Sequence, residues 1–329
     1  MEAQNGSWVH EITYLRVSVT DKCNMKCSYC RPVNLDYIPH KEMLSYEEIR
    51  DIVAVMQEFG LKKVRITGGE PLLRPKLWNL ISLLKANKTS LESISLTTNG
   101  TYLKEQAKLL KEAGLDTINI SLDTLNKDKF KHVTKTDIEP VLEGIYEVSA
   151  LGFNIKLNTV LVRNFNDDEI IALVEFAKKV RARIRFIELM PVGRLDFFNR
   201  TKIVYNTEVF GLLEKTYGSL KALPPDGSKS ARRFLIESID TEVGFISPIS
   251  SPFCDGCSKL RLTPEGTLMY CLRTNAGINI KKVIREEGLE AFKNMMPEII
   301  RQKNISNEYI IRNDYSFLDC NRAMTSIGG

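Results

Sequence analysis

The stretch YLRVSVTDKCNMKCSYC (14–30) decides the fold. Its first six residues, YLRVSV, have the β-branched and aromatic content of a strand. Three cysteines, Cys23, Cys27 and Cys30, follow at once on a short loop. A strand that runs into a chemically loaded loop suits a parallel α/β sheet, where chemistry collects at the carboxyl ends of strands. Thiolates at CxxxCxxC spacing suit zinc, copper(I) or an iron–sulfur cluster. Structural zinc closes a tetrahedron of four ligands. The chain has only three histidines, and the nearest, His10 and His40, lack a finger-like spacing. A four-iron cubane held by three cysteines leaves one iron open to a ligand.

Working outward, short strand-like runs alternate with amphipathic helical ones as far as about residue 191. Strands are expected at 14–19, 62–67, 93–97, 117–123, 154–162 and 183–189. Helices are expected at 45–60, from about Lys76, up to Gly114, at 137–151 and at 167–180. The first has Ser45 as N-cap with Glu48 three residues on, a capping-box pattern, and Gly60 as its stop. Six β-α units, read with apolar residues on both strand faces, imply a parallel sheet covered by helices. GGEP (68–71), TTNG (97–100), SLD (121–123) and MPVG (190–193) each follow a strand, as the cysteine loop does. Beyond about Leu195 the rhythm breaks, and PPDGSKS (224–230) reads as a linker. The expected division is therefore 7–223 and 224–329.

The 329 residues, 43% hydrophobic and 26% charged, describe an ordinary globular chain. A formal charge of +5 slightly favours a small anionic substrate, and makes no case for nucleic acid or a membrane surface. No run is long enough for a membrane span. The N-terminus has neither a basic n-region nor an apolar h-region, so a cytoplasmic location is expected. Seven cysteines in that reducing compartment argue for metal over a disulfide framework. Six fall in two triplets, the second being Cys254-x2-Cys257-x13-Cys271, and Cys320 stands apart. The second triplet reads as another open-iron cluster, or as a zinc ribbon borrowing Cys320.

CxxxCxxC with Tyr29 before its last cysteine, followed one β-α unit later by GGEP, resembles the signature of the radical S-adenosylmethionine (SAM) superfamily. That resemblance implies a partial (β/α)6 TIM-type barrel with a C-terminal extension carrying a second iron–sulfur cluster. Two open-iron triplets in one chain narrow the likeness further. With VRITGGEPLLR, LTTNG, INISLD, RFIELMPVG, GFISPISSPFCDGC and a terminal Gly-Gly, the chain is similar to the GTP 3′,8-cyclase family of molybdenum-cofactor biosynthesis. The similarity runs from about Tyr14 to Gly329.

Several expectations follow from the resemblance. Two [4Fe–4S] clusters would be held by Cys23, Cys27 and Cys30 and by Cys254, Cys257 and Cys271. SAM would chelate the open iron of the first, lined by Tyr29, Gly69, Ser121 and Met190. GTP would meet Arg16, Arg65, Thr97, Lys156, Lys259, Leu260 and Arg261. Arg16, Arg261 and the Gly328–Gly329 tail would act in catalysis. Implied partners are an electron donor of the reduced flavodoxin or ferredoxin type, the downstream cyclic pyranopterin monophosphate synthase, and a second copy of the chain in a homodimer. Lys259 stands where relatives often have arginine, and Arg31 precedes Pro32 where many relatives read YCMP. The competing readings are a radical SAM enzyme acting on a peptide or another nucleotide, and an iron–sulfur or zinc binding module without turnover. Two four-iron clusters predict about eight irons per chain after anaerobic reconstitution. Metal analysis that finds zinc alone overturns the iron–sulfur expectation.

Overall fold

Along each strand, polar and apolar residues alternate, and this period of two sets which face carries the core. The computed structural model describes residues 10–30, 36–193, 196–225, 230–313 and 323–328. Arg31, Cys320 and Gly329 lie outside the described residues.

Six strands come in the expected order: β1 (Tyr14–Ser18), β2 (Lys63–Thr67), β3 (Ser93–Thr98), β4 (Thr117–Ser121), β5 (Asn154–Leu161) and β6 (Arg183–Glu188). Between them lie α1 (Tyr46–Glu58), α2 (Leu77–Ala86), α3 (Leu103–Glu112), α4 (Lys127–Thr134), α5 (Glu139–Ala150) and α6 (Ile170–Lys179). The expected capping box starts α1. Ser45 Oγ accepts from Glu48 N at 3.1 Å, and the Glu48 carboxylate accepts from Ser45 N at 2.7 Å. Gly60, at φ +90°, stops the helix two residues after its end, a left-handed position that costs glycine nothing.

Helix α4 was not expected. Its N-cap, Asn126, accepts from the backbone of Asp128 and Lys129, and only Phe130, Val133 and Thr134 are buried. Eight mostly polar residues carry too short an apolar stripe to register as a helix.

The C-terminal third adds α7 (Asn206–Tyr217), β7 (Leu220–Leu223), β8 (Arg232–Ile236), β9 (Thr241–Ile246), β10 (Lys259–Leu262), β11 (Thr267–Met269) and β12 (Gly277–Asn279). Helices α8 (Ile280–Glu286), α9 (Leu289–Arg312) and α10 (Met324–Ile327) follow. All twelve strands form one sheet, ordered β12-β11-β10-β1-β2-β3-β4-β5-β6-β9-β8-β7. From β10 to β9 every neighbouring pair is parallel. The C-terminal part thus supplies one parallel strand to each edge of the six-strand array and an antiparallel margin beyond it. The residue 223/224 position falls between β7 and β8, which pair with each other.

The two strand faces differ, contrary to the expectation of apolar residues on both. Leu15, Val17, Val64, Ile66, Leu260 and Leu262 are fully buried in the core beneath the helices. Their sequence neighbours Tyr14, Arg16, Lys63, Arg65, Lys259 and Arg261 face a cavity on the other side. A buried core on one face and a polar concave face on the other is the arrangement of an open, partial barrel. Leu260 consequently has its side chain in the core, and is not among the residues that line the cavity. Replacing Leu260 with Ala should cost about 2–5 kcal/mol of stability. Chemical unfolding checks this, and GTP affinity should be unchanged; a selective loss of GTP binding would restore a substrate role to that side chain.

Candidate active site

The cavity has a volume of about 620 Å³ and is lined by residues from every parallel strand. It gathers all six expected cluster cysteines, the SAM-side residues Tyr29, Gly69, Ser121 and Met190, and Arg16, Arg65, Thr97, Lys156, Lys259 and Arg261. Among the sixteen residues with an expected role whose side chains or Cα line it, both cysteine triplets are present, which no single loop would explain.

The two triplets sit at opposite ends of the strands. Cys23, Cys27 and Cys30 follow the carboxyl end of β1. Cys257 precedes β10 by two residues, and Lys259, which opens β10, pairs with Tyr14, which opens β1. Strand β11 returns antiparallel to β10, so Cys271, two residues beyond it, lies at that same amino end. The second triplet therefore departs from the expectation that chemistry gathers at carboxyl ends. Strand β1 rises about 13 Å between its two ends.

Backbone contacts fix the first cysteine loop. Glu70 N donates to Lys22 O and Gly69 N to Thr20 O, each at 2.7 Å. Lys26 N and Ser28 N donate to Thr134 O and Val133 O of α4, so the unexpected helix is what the loop rests on. A Cβ on Gly69 would come within 2.2 Å of Lys22 O, which explains why glycine stands there. The fully buried Glu70 accepts from Thr98 Oγ1 and from the backbone N–H groups of Asn99 and Leu72. Asn99 Nδ2 in turn donates to Asn24 Oδ1 and approaches Cys23 Sγ at 3.7 Å. Burial raises Glu70 to about 7 against these donors. Tyr29 donates its hydroxyl to Asp123, whose other oxygen accepts from Val160 N at 2.9 Å. Burial raises Asp123 to about 6.

Cations occupy the middle of the strands. Arg261, Arg16 and Arg65 are direct register partners across β10, β1 and β2. Burial, and next the neighbouring Arg261, take Arg16 down to about 9. Burial takes Lys259 down to about 8, with Cys257 opposing and Arg65, Arg16 and Arg261 adding to the fall. Both shifts come first from burial, with the neighbouring guanidiniums adding to it. The Gly328 carbonyl accepts from both Arg16 and Arg261. Gly328 has φ +74°, and a Cβ there would lie 2.3 Å from Thr67 Cγ2. Thr97 Oγ1 and Asn158 Oδ1 are buried without a hydrogen-bond partner among the described residues, and both line the cavity.

The cysteines of the two triplets differ in their surroundings. All six described ones are free thiols. Among the described residues, no three His, Cys, Asp or Glu side chains converge to share one ion. Burial pushes the Cys27 thiol well up and takes Cys254 to about 11. Burial also pushes on Cys257, but Lys303 and Lys259 hold it below the ordinary thiol value.

Several cavity residues escaped the sequence reading: Lys63, Asp123, Asn158, Arg185 and Lys303. Lys63 and Arg185 share the parity of Arg65 and Arg183 on their strands, so strict alternation would have found them. Lys303, in the middle of a helix, has no such signal.

Comparison with known proteins agrees with this geometry. A Radical SAM superfamily profile matches residues 17–177, and a Molybdenum Cofactor Synthesis C profile matches residues 182–309. The GTP 3′,8-cyclase of Campylobacter jejuni strain RM1221 is 39% identical over 326 residues, covering 97% of this chain and 98% of that protein. This chain belongs to the GTP 3′,8-cyclase family. Another member, from Limosilactobacillus fermentum, is 37% identical over 322 residues, covering 96% of each chain. The radical SAM fold is seen independently. The crystal structure of Streptococcus suis SuiB bound to S-adenosylmethionine aligns with a TM-score of 0.64 at 16% identity, covering 88% of this chain and 67% of that one. Within this GTP 3′,8-cyclase family member, Gly69→Ala should displace the first cysteine loop. Iron content is expected to fall by about four per chain. Full retention of iron would show that the close approach at Lys22 is dispensable.

Proposed function

We propose that this chain cyclises GTP to (8S)-3′,8-cyclo-7,8-dihydroguanosine 5′-triphosphate in a radical SAM-dependent reaction, the first step of molybdenum-cofactor biosynthesis. One observation carries the reading: a single cavity with a thiol triplet at each end of the strands and a row of cations between them. A peptide substrate gives no reason for that row. A triphosphate does, because guanidinium forks match phosphate oxygens and fixed charges hold it at several points.

Cys23, Cys27 and Cys30 would hold a [4Fe–4S] cluster with SAM on its open iron. Bound there, the pair would take up one electron, release methionine and supply a 5′-deoxyadenosyl radical, the hydrogen-abstracting agent of the reaction. The chain's own residues do the rest. Tyr29, Gly69, Ser121 and Met190 line the SAM end, and the missing Cβ of Gly69 lets backbone approach closely. Arg16, Arg65, Lys156, Lys259 and Arg261 grip the triphosphate, and Thr97 Oγ1 offers its unused hydrogen-bonding capacity. Gly328 O rests on Arg16 and Arg261, so the tail and the substrate meet at the same two guanidiniums, and Gly329 would extend it. Cys254, Cys257 and Cys271 would hold the second [4Fe–4S] cluster against the guanine.

The atoms balance simply. C3′ would give up one hydrogen atom to the 5′-deoxyadenosyl radical, which becomes 5′-deoxyadenosine, a C3′–C8 bond would form, and a second electron and one proton would enter the nucleotide. The product is therefore an isomer of GTP. Held triphosphate and base keep the reacting carbons in contact, which is the protein's main contribution. On this reading 7–223 supplies the SAM side and 224–329 the second cluster. Both electrons, the one that cleaves SAM and the one that enters the nucleotide, come from a reduced flavodoxin or ferredoxin type of donor, and the product passes to cyclic pyranopterin monophosphate synthase. A homodimer and a cytoplasmic location accompany the proposal, the latter because free thiols suit a reducing compartment. No described helix is long and apolar enough to cross a membrane.

The test is anaerobic incubation of the reconstituted chain with SAM, dithionite and GTP deuterated at C3′. The expected result is deuterium in 5′-deoxyadenosine and a chromatographically distinct nucleotide. SAM cleavage without a changed nucleotide would reject GTP as substrate. Lys156→Ala should weaken GTP binding by about 1.5–3 kcal/mol, roughly 10–150-fold, as expected for one charged hydrogen bond. Equilibrium binding checks it, and unaltered affinity rejects that contact.

A further inference from the structure

Helix α9 buries a stripe of Phe292, Met296, Ile299, Lys303, Ser306, Asn307 and Ile310. A lysine in such a stripe is unusual, because a buried charge is costly unless something pairs with it. Lys303 is 1% exposed. Its ammonium donates to Tyr270 O at 2.7 Å and lies 3.6 Å from Cys257 Sγ. Among the described residues it forms no ion pair with a carboxylate. One turn further on, Asn307 Nδ2 donates to Cys257 O at 3.0 Å, the i, i+4 spacing that sets two side chains on one helix face. The same face of α9 therefore touches both halves of the second triplet: Cys257 directly, and Cys271 through the carbonyl of the preceding residue.

A carbonyl and a neutral thiol would leave this ammonium without a countercharge. A thiolate supplies one. We propose that Lys303 is the buried countercharge of the second cysteine triplet, donating to Cys257 Sγ and thereby setting the reduction potential of the iron–sulfur group bound there. The inference rests on the reading above that Cys254, Cys257 and Cys271 hold a [4Fe–4S] cluster. Three thiolates outweigh the two positive charges of an oxidised core, and one added electron makes the assembly more negative still. A fixed cation at a ligand sulfur stabilises the reduced form more than the oxidised one and raises the potential. Lys303 thus eases reduction at this end of the cavity, where ring closure needs an electron. It acts through Cys257 and is a positioning residue, distinct from the groups that grip the triphosphate.

The experiment uses full-length chain in which Cys23, Cys27 and Cys30 are all serine, reconstituted anaerobically so that only the second triplet binds iron. Lys303→Gln keeps a hydrogen-bond donor but loses the charge, and Lys303→Arg keeps the charge. Iron is counted, and the midpoint potential is read by electron paramagnetic resonance during titration with dithionite. About four irons per chain are expected in the background protein. The midpoint should move to more negative potential in K303Q and return toward the parent value in K303R. Loss of iron in K303Q alone would equally support a charge-dependent role. An unmoved midpoint in K303Q with iron retained, or loss of iron in both variants, overturns the proposal while the cluster reading stands. Background protein that binds no iron overturns the cluster reading and this proposal together.

Discussion

Three guanidiniums in register across β10, β1 and β2 are the constraint on which the site depends. Neighbouring strands lie about 4.8 Å apart, and like charges directly opposite each other destabilise a sheet. A packed barrel interior has no room for such a row. The concave face is accordingly polar and open in its middle, and the main hydrophobic core lies on the outer face, under the helices. The same row attracts what polar groups the chain has to offer, and the carbonyl of Gly328 already lies on two of the three arginines.

Strand direction then does the spacing. Loops at carboxyl ends carry the first thiol triplet, and the parallel entry of β10 beside β1 brings the second to the amino ends. The cations between them ride on extended backbone, which is stiffer than any loop. Two reactive ends held apart by rigid strands define the length of the molecule that fits between them. The lids of this arrangement are small: the Gly193 turn packs against the carbonyls of Tyr29 and Cys30, and Met324 N donates to Cys30 O.

Much of this was readable from the residues. The six β-α units and the capping box at Ser45 follow from local rules of periodicity and turn chemistry. All six described cysteines stand out by spacing. What escaped had non-local causes. KLRL (259–262) is four residues long and its partner strand lies at the other end of the chain, so nothing near it announces a central strand. Leu260 was expected at the site only through the resemblance, and alternation turns its side chain to the opposite face. Helix α4 is defined by its cap and by the loop leaning on it, and Lys303 by a sulfur that folding brings within reach.

The position of β1 has a consequence for how the chain is made. Its two neighbours come from opposite extremes of the sequence: β2 follows within fifty residues, whereas the link between Thr13 and Ser258 spans 245 positions. Contacts of such range slow folding, because a long loop must close before they form. During synthesis β1 is therefore one open margin of a growing parallel sheet, and β6 is the other until β9 emerges. An unpaired inner strand is a template for unwanted pairing. The last third of the polypeptide thus acts as the seal of its first third, and a chain released before residue 262 leaves the ribosome with a raw edge beside its most reactive loop.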